Sequence, residues 1–315
     1  MKGFLKNYLP SLIVILAILI FGYFIYRNYE RLNQILNISW GVILTIIIFV
    51  LLTAMQNGLV NYLLYRSLDA PVSVLSGFGL ATINTLANQL PFAGGLIAKG
   101  IYLKKKHRLP YTKYLSATGA LYICFIATNG FMGLLGIGYL VGVNHYRFPM
   151  ILCAGFVIMV CSLIFLWVPL ETKFLPEGWR KIFERVKQGW YVLKENRALL
   201  YRLIAIQIFA IFTMSVRFWL ALNAFSQNVT LPECVLFASA TILTQLVSLA
   251  PGGLGIREGI VAGIASILGF APGISALAVG LDRLIATITI AVLGTIFTYL
   301  LSKDALEGSD IQKGD

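Results

Sequence analysis

The sequence predicts an all-α integral membrane protein with about six transmembrane helices and two re-entrant hairpins of broken helices, arranged as an inverted repeat. Of its 315 residues, 58% are hydrophobic and 12% are charged, whereas charged residues make up about a quarter of a soluble domain. Apolar stretches long enough to cross about 30 Å of hydrocarbon run through the whole chain. Proline and glycine interrupt two of these stretches, which predicts the hairpins. We therefore expect residues 1–315 to form a single transmembrane domain.

The apolar stretches and the charges between them predict the position and direction of each span. Lys and Arg collect in short cytoplasmic loops, and here they concentrate at the N-terminus, in KKKHR at 104–108 and in 171–197. The predicted spans, running alternately outward and inward from the cytoplasm, are about 9–26, 38–65, 111–142, 148–170, 198–224 and 274–301. Both termini are then cytoplasmic, and the protein is expected in the cell membrane. The positive excess of Arg27 and Arg31 over Glu30 argues against this orientation.

The first apolar stretch, about 9–26, could also be a signal peptide. Its apolar core is too long for one, and no small-residue cleavage site follows, so we interpret it as a retained span.

A segment of about 177–197, between the fourth and fifth spans, has the pattern of an amphipathic helix. Trp179, Phe183, Val186 and Trp190 recur at helical spacing, while basic residues occupy the opposite face. Such a helix is expected to lie on the inner leaflet of the membrane. The alternative is a solvated connector.

Two apolar regions, 72–103 and 233–272, are each too long for one span and contain helix breakers. The breakers are Pro91, Gly94, Gly95, Pro251, Gly252, Gly253 and Gly255. TLANQL in the first region matches TILTQL in the second at three positions, and GGL follows in both. Alignment of the GGL triplets places Lys99 opposite Arg257.

The two hairpins are bracketed by spans of opposite direction. The first hairpin lies between spans two and three, in a predicted repeat of about 38–142, and the second lies between spans five and six, in a repeat of about 198–301. The repeats are therefore expected to be inverted, with broken helices near the middle of the membrane.

The broken segment of the second hairpin, LAPGGLGIREGI at 249–260, combines backbone donors with charged side chains. A half-helix that begins at 253–255 would direct free N–H groups and the positive end of its dipole into the protein, which favours a phosphate or a carboxylate. Arg257 adds a guanidinium suited to bidentate phosphate binding. Glu258 needs a cationic partner in the membrane, for which Arg257, Arg283 and Arg217 are candidates.

Structural roles for some of these residues are alternatives. Arg217 could extend to the outer interface of the membrane, and Asp282 with Arg283 could form a buried tether. Because adjacent helical residues point about 100° apart, Asp282 and Arg283 are expected to contact different neighbours. The candidate substrate-binding residues are Lys99, Arg257, Glu258, Arg283, Gly252, Gly253, Gly255, Gln89 and Gln245.

Several classes of chemistry have no support in the sequence. The four cysteines lie in apolar runs without CxxC spacing, and no histidine stands at ligand distance from them. No Ser/His/Asp grouping, useful pair of carboxylates or phosphate loop is present. We therefore expect no catalytic residue, metal or other cofactor. The net charge of +12 lies beside the predicted spans, which favours anionic lipid over nucleic acid as a partner.

PGGLGIREG at 251–259, followed by GLDRL at 280–284, resembles the lysylphosphatidylglycerol synthase transmembrane family, also called the flippase-like domain. GGLIAKGIYLKKKHRLP at 94–110 is similar to that family's other signature, a glycine pair followed by a basic residue and a basic loop ending in proline. The resemblance covers the whole chain and implies an integral membrane protein that moves a lipid between leaflets. Because the sequence contains no soluble aminoacyl-transferase domain, we expect a stand-alone member.

Three functions are carried forward as hypotheses. The first is a translocator for an anionic, aminoacylated or polyprenyl-phosphate-linked lipid, whose head group passes through a polar cavity between the hairpins. The second is a non-transporting membrane partner or regulator of a lipid-modifying enzyme or glycosyltransferase, acting through the amphipathic helix. The third and least favoured is an enzyme with Glu258 as a general base.

Overall fold

The structure is a computed structural model that describes residues 38–88, 94–144, 150–167, 176–245 and 255–310. Within these ranges the regular structure is entirely helical. The predicted first span, about 9–26, lies outside the described residues. The helices are, in chain order, α1 (Trp40–Arg66), α2 (Val74–Ala87), α3 (Gly94–His107), α4 (Tyr111–Asn144), α5 (Met150–Cys161), α6 (Ile164–Trp167), α7 (Glu177–Glu195), α8 (Arg197–Ala224), α9 (Leu231–Thr241), α10 (Ile256–Ile267) and α11 (Pro272–Asp310).

In this described part, four helices are long and apolar enough to cross a membrane: α1, α4, α8 and α11. They correspond to predicted spans two, three, five and six. Their outer faces are apolar and uncovered; on α11, for example, Leu284, Ile288, Val292 and Ile296 are exposed at a spacing of four residues. Exposed apolar faces of this length are typical of helices that contact lipid. The chain is a multi-pass membrane protein.

The predicted fourth span, about 148–170, is not one continuous helix. α5 ends at Cys161, and the short α6 follows after a two-residue turn. Ser162 accounts for the interruption, because its hydroxyl donates to the carbonyl of Met159 at 2.6 Å. A serine side chain that bonds to nearby backbone competes with regular helical hydrogen bonding.

Both regions predicted as hairpins contain two shorter helices in place of one long one. α2 and α3 occupy the first region, and α9 and α10 occupy the second. The first helix of each pair begins at a polar cap: Ser73 accepts from the N–H of Ser76, and Thr230 donates its N–H to Glu233. Such caps satisfy backbone groups that a helix end leaves unpaired.

The turns that lead into these two pairs have the same backbone geometry. Asp69 after α1 and Ser226 after α8 both adopt positive φ, of 65° and 56°. The N–H of Ala70 donates to the carbonyl of Tyr65, and at the same spacing the N–H of Gln227 donates to the carbonyl of Leu222. The two segments α1–α4 and α8–α11 thus have the same order of long and short helices and the same turn after the first helix. We call them the first half and the second half.

The two halves interlock. α2 packs against α11 of the second half, and α9 packs against α4 of the first half. Each contact includes a glycine of the long helix: a Cβ on Gly136 would lie 2.9 Å from Leu236, and a Cβ on Gly294 would lie 2.9 Å from Leu86. Larger residues at these glycines would separate the helices.

We call a residue of α1 and a residue of α8 equivalent when they lie at the same distance along the chain from the matching turns that follow these helices. Two equivalent residues meet where α1 packs against α8. Gln56 on α1 donates to the hydroxyl of Thr213 on α8 at 2.8 Å, and both side chains are buried. Thr213 follows Gln56 by the same number of residues that separates Ser226 from Asp69.

A helix, α7, occupies the segment predicted to be amphipathic. Its apolar face packs on α4, where Val186 contacts Gly119 and the backbone of Gly189 approaches Ser116. Trp190 and Leu193 are buried there. Much of the apolar face is therefore covered by protein, while ion pairs such as Lys181–Glu177 lie on the exposed side.

Candidate functional site

A cluster of charged side chains is buried where α8, α10 and α11 meet. Its centre is Asp282 on α11, whose side chain is fully buried. Arg217 on α8 donates to both oxygens of Asp282, from Nε at 2.8 Å and from Nη2 at 2.9 Å. Arg257 on α10 donates from Nη2 to Oδ2 of the same carboxylate at 2.8 Å. Asp282 thus joins α11 to both α8 and α10.

Burial explains why these charges are paired. Taking an ion out of water costs several kcal/mol, and a buried charge is tolerated when a partner and hydrogen bonds compensate it. Arg217 is 4% exposed and Asp282 is 0% exposed. The bidentate geometry of the pair fits the planar fork of a guanidinium.

Arg257 is held more loosely than Arg217. It makes one hydrogen bond to Asp282 and a long contact from Nη2 to the sulfur of Met214 at 3.6 Å. Its guanidinium carbon lies 4.9 Å from the centre of the Phe218 ring, a cation–π contact. Its Nε is buried and has no hydrogen-bond partner within the described chain. Arg257 therefore retains an unused donor inside the protein.

A second ion pair lies beside the first. Nη1 of Arg283 donates to the two oxygens of Glu258, at 3.1 and 3.3 Å. Arg283 is thus the cationic partner that the sequence required for Glu258. As predicted for adjacent helical residues, Asp282 and Arg283 contact different neighbours.

Glu258 also caps the start of α10. Gly255 has φ 81°, a conformation that favours glycine, and its N–H donates to Oε2 of Glu258 at 2.9 Å. This N–H is therefore engaged by an internal carboxylate and is not open to an external anion. Gly252 and Gly253, the other glycines of the predicted anion-binding turn, lie outside the described residues.

The first half places a single buried cation in the position equivalent to Arg257. Lys99 on α3 is 6% exposed, and its Nζ donates to Oδ1 of Asn61 on α1 at 3.3 Å. The amide of Asn61 is oriented by its own donor, which bonds to the carbonyl of Gly77 on α2 at 3.1 Å.

The two cations contact equivalent positions of the long helices. Asn61 on α1 precedes Asp69 by the same number of residues by which Phe218 on α8 precedes Ser226. Lys99 therefore contacts Asn61 as Arg257 contacts Phe218. This relation supports the alignment of Lys99 with Arg257 that the GGL triplets suggested.

The structure brings together only some of the residues named from sequence. Arg257, Glu258, Arg283 and Gly255 belong to the cluster between α8, α10 and α11, and Lys99 belongs to a separate contact with α1. Gln89 lies outside the described residues, and Gln245 ends a short 3-10 helix (Ile242–Gln245) without a described side chain.

Arg217 and Asp282 were missing from the predicted site, although they form its centre. The suggestion that Arg217 extends to the outer interface of the membrane is wrong, since it is buried against Asp282. Charge balance in the sequence could have revealed this pair, because an arginine and an aspartate in otherwise apolar helices each need a partner of opposite charge. Asn61 was missed as well, and an amide in an apolar span carries a weaker signal.

The described residues contain no group of three His, Cys, Asp or Glu side chains that could hold a metal ion. The four cysteines are free, and Cys124 and Cys234 are buried. In the part of the chain that is described, the chemistry of the site is therefore that of charge pairing and hydrogen bonding.

Long apolar helices, two broken helix pairs and charges buried between them define a multi-pass membrane protein with a polar interior. The chain belongs to the family described as the lysylphosphatidylglycerol synthase TM region, whose family model matches residues 11–294. No curated protein and no solved structure matches the chain.

Proposed function

We propose that this protein is a translocator for an anionic lipid, aminoacylated or polyprenyl-phosphate-linked, whose head group passes between the two broken helix pairs while its acyl chains stay in the bilayer. The observation that carries the proposal is the charge of the buried cluster. Among the described residues, three guanidinium groups share two carboxylates there, so one positive charge is left over in this part of the chain. A buried excess charge in a membrane protein marks a pathway or binding site for an ion of opposite sign.

The unused donor of Arg257 supports the same conclusion. Buried polar groups are hydrogen-bonded in the great majority of cases, and an exception often marks a functional position. A phosphate oxygen at the Nε of Arg257 would fill this donor and balance the excess charge. The membership of the lysylphosphatidylglycerol synthase TM region family is consistent with a lipid substrate.

The proposed topology is an inverted repeat in the cell membrane, with about six spans and cytoplasmic termini. The α2–α3 pair enters from the cytoplasmic side and the α9–α10 pair from the outside. The contact of Gln56 with its equivalent, Thr213, supports a two-fold relation between the halves, because equivalent residues meet where a two-fold axis passes. An axis in the membrane plane relates halves of opposite direction, as many transporters require.

Each half has its own role in the proposed movement. Lys99 receives the head group from the inner side, and Arg257, Glu258 and Arg283 receive it on the outer side. The two broken pairs rock in alternation, so that one cation site is open at a time. Gln89, Gln245 and the backbone of Gly252, Gly253 and Gly255 are proposed to border the path.

No catalytic step is proposed. Both oxygens of Glu258 already accept hydrogen bonds, from Arg283 and from the backbone of Gly255. A general base is directed at the proton that it removes, whereas both oxygens of Glu258 are directed at donors of the protein itself.

A leaflet assay in proteoliposomes tests the proposal. The purified chain is reconstituted with a fluorescent anionic lipid, and the lipid that reaches the outer leaflet is measured by chemical quenching. Arg257→Ala and Arg283→Ala each remove a charged hydrogen-bond donor that contributes about 1.5–3 kcal/mol, so each is expected to lower the transbilayer rate by about tenfold or more. Lys105→Ala is the matched control, because Lys105 is exposed at the end of α3.

Unchanged rates in both arginine variants would contradict the assigned roles. A wild-type chain with no transbilayer activity would favour the non-transporting partner or regulator. In that case replacement of Tyr191, which is exposed on α7, is the appropriate test of the partner surface, since Trp190 and Leu193 are buried.

A further inference from the structure

Lys99 on α3 is a buried cation, 6% exposed. No Asp or Glu of the described chain forms an ion pair with it, and Asn61 is its hydrogen-bond acceptor. An ammonium has three donors and no acceptor, and one neutral amide satisfies a single donor. A charge buried in this way is unfavourable unless an anion joins it.

The helices of the first half contain no acidic residue. Asp282 lies on α11, whereas α4, the corresponding long helix, contains no Asp or Glu, and neither do α1, α2 and α3. Glu258, counted from Arg257, corresponds to Gly100, which follows Lys99. The first half therefore keeps the cation and lacks both acids.

In the second half, an internal carboxylate fills the equivalent place. Asp282 lies 2.8 Å from Arg257 and is fixed by two hydrogen bonds from Arg217. The position equivalent to Arg217 in the first half is Val60, which cannot hold a carboxylate. The two halves thus place a cation at the same position, with the carboxylate of Asp282 beside it in the second half and the neutral amide of Asn61 beside it in the first.

We propose that Lys99, with Asn61, forms an open binding site for a lipid phosphate, and that Asp282 occupies the corresponding place at Arg257 as an internal substitute for that phosphate. This inference rests on the proposed translocator function and specifies which half binds the lipid first. A phosphodiester has one negative charge, which matches the single charge of Lys99. Lysine binds phosphate as a point charge, without the planar fork that arginine requires.

The arrangement defines an order of binding. An anionic head group reaches Lys99 by displacing only the neutral amide of Asn61. At Arg257, the head group must compete with Asp282 for Nη2, and only Nε is without a partner among the described residues. In the conformation described, one anion is therefore expected to bind per chain, and it is expected to bind in the first half.

The number of anions bound per chain tests the inference. Native mass spectrometry of the purified full chain in detergent counts bound dioctanoyl phosphatidylglycerol for the wild type, Lys99→Met and Lys99→Arg. Methionine has a similar length without the charge, and replacing a buried charge that has no counter-ion by an apolar group is tolerated by the fold. Lys113→Met is the control, because Lys113 is exposed and pairs with Asp69.

We expect one bound lipid in the wild type, Lys99→Arg and Lys113→Met, and none in Lys99→Met, with a loss of affinity of at least about tenfold. A wild-type count of two, or a count of one that persists in Lys99→Met, would overturn the inference, because Arg257 would then be open. Loss of binding in both Lys99→Met and Lys113→Met would also overturn it, because an exposed lysine would then matter as much as the buried one.

Competition by inorganic phosphate distinguishes a site for a free phosphate group from a site for a lipid head group. Inorganic phosphate that competes with the lipid supports a site that recognises the phosphate group itself, and lack of competition supports a site that also requires the lipid. Binding of neither probe to the wild type overturns the site. Binding with the expected counts but without transbilayer movement would refute the translocator and leave the site intact, so the two failures are distinguishable.

Discussion

The two halves of the molecule have the same order of long and short helices and differ in how they hold a buried cation. In the first half, Lys99 contacts the neutral amide of Asn61. In the second half, the equivalent Arg257 belongs to a network of five charged side chains on three helices. The same backbone frame thus supports a simple site and an elaborate one.

This difference indicates that the charges have two tasks. The pair of Arg217 with Asp282 is bidentate and buried, so it fixes α8 against α11. Arg257 and Lys99 are each held by a single hydrogen bond to a carboxylate or an amide, at 2.8 Å to Asp282 and at 3.3 Å to Asn61. The first pair stabilises the second half, and the two singly bonded cations are the ones that we propose contact a ligand.

Replacement of Asp282 by Asn is expected to give the largest effect on stability. It leaves Arg217 and Arg257 buried without a counter-ion, and breaking a buried ion pair by removal of one partner costs about 3–5 kcal/mol. Thermal unfolding in detergent should show a large loss. Asp69→Asn is the control, since Asp69 forms an exposed pair and asparagine tolerates its positive φ.

Lys99→Met tests the difference between the two halves from the other side. Because no Asp or Glu of the described chain pairs with Lys99, its removal leaves no carboxylate there without a partner, and the unfolding temperature is expected to stay unchanged or to rise. If Lys99→Met destabilised the protein as strongly as Asp282→Asn, the two halves would not differ in the way that their contacts indicate.

Replacement of Glu258 by Gln is expected to have an intermediate effect. Glutamine can still accept the N–H of Gly255, so the cap of α10 is kept, but Arg283 loses its negative partner. Hydrogen bonds to charged groups contribute about 1.5–3 kcal/mol, and unfolding in detergent should show a loss of that order. Glu184→Gln, in an exposed pair with Arg180, should change stability little; an equal loss there would contradict the special role of Glu258.

Sequence reasoning predicted the long helices well, because continuous apolar stretches have few alternatives in a chain of this composition. It also found the two broken pairs, since glycine and proline signal the interruptions directly. It did not foresee the break at Ser162, because serine is compatible with helices and its effect depends on a local hydrogen bond.

The site was harder to predict than the fold. The charges in apolar segments of the sequence identified Arg257, Glu258 and Arg283. The pairing of Arg217 with Asp282 depends on how α8 and α11 pack against each other. Periodicity and motif spacing contain no information on such packing. Likewise, α7 was recognised as amphipathic from its pattern, yet the pattern could not show that α4 covers much of its apolar face.

Replacement of Gln56 by Leu is expected to give the smallest loss of stability, and it tests the relation between the halves themselves. Gln56 donates to its equivalent, Thr213, and interhelical hydrogen bonds in membrane proteins contribute about 0.6 kcal/mol on average. A double-mutant cycle with Thr213→Val should give a coupling energy of that size between the two positions. Thr53→Val is the control, because the hydroxyl of Thr53 bonds within its own helix. Additive effects of Gln56→Leu and Thr213→Val would mean that the halves do not interact through this pair, and the proposed two-fold relation would lose its central contact.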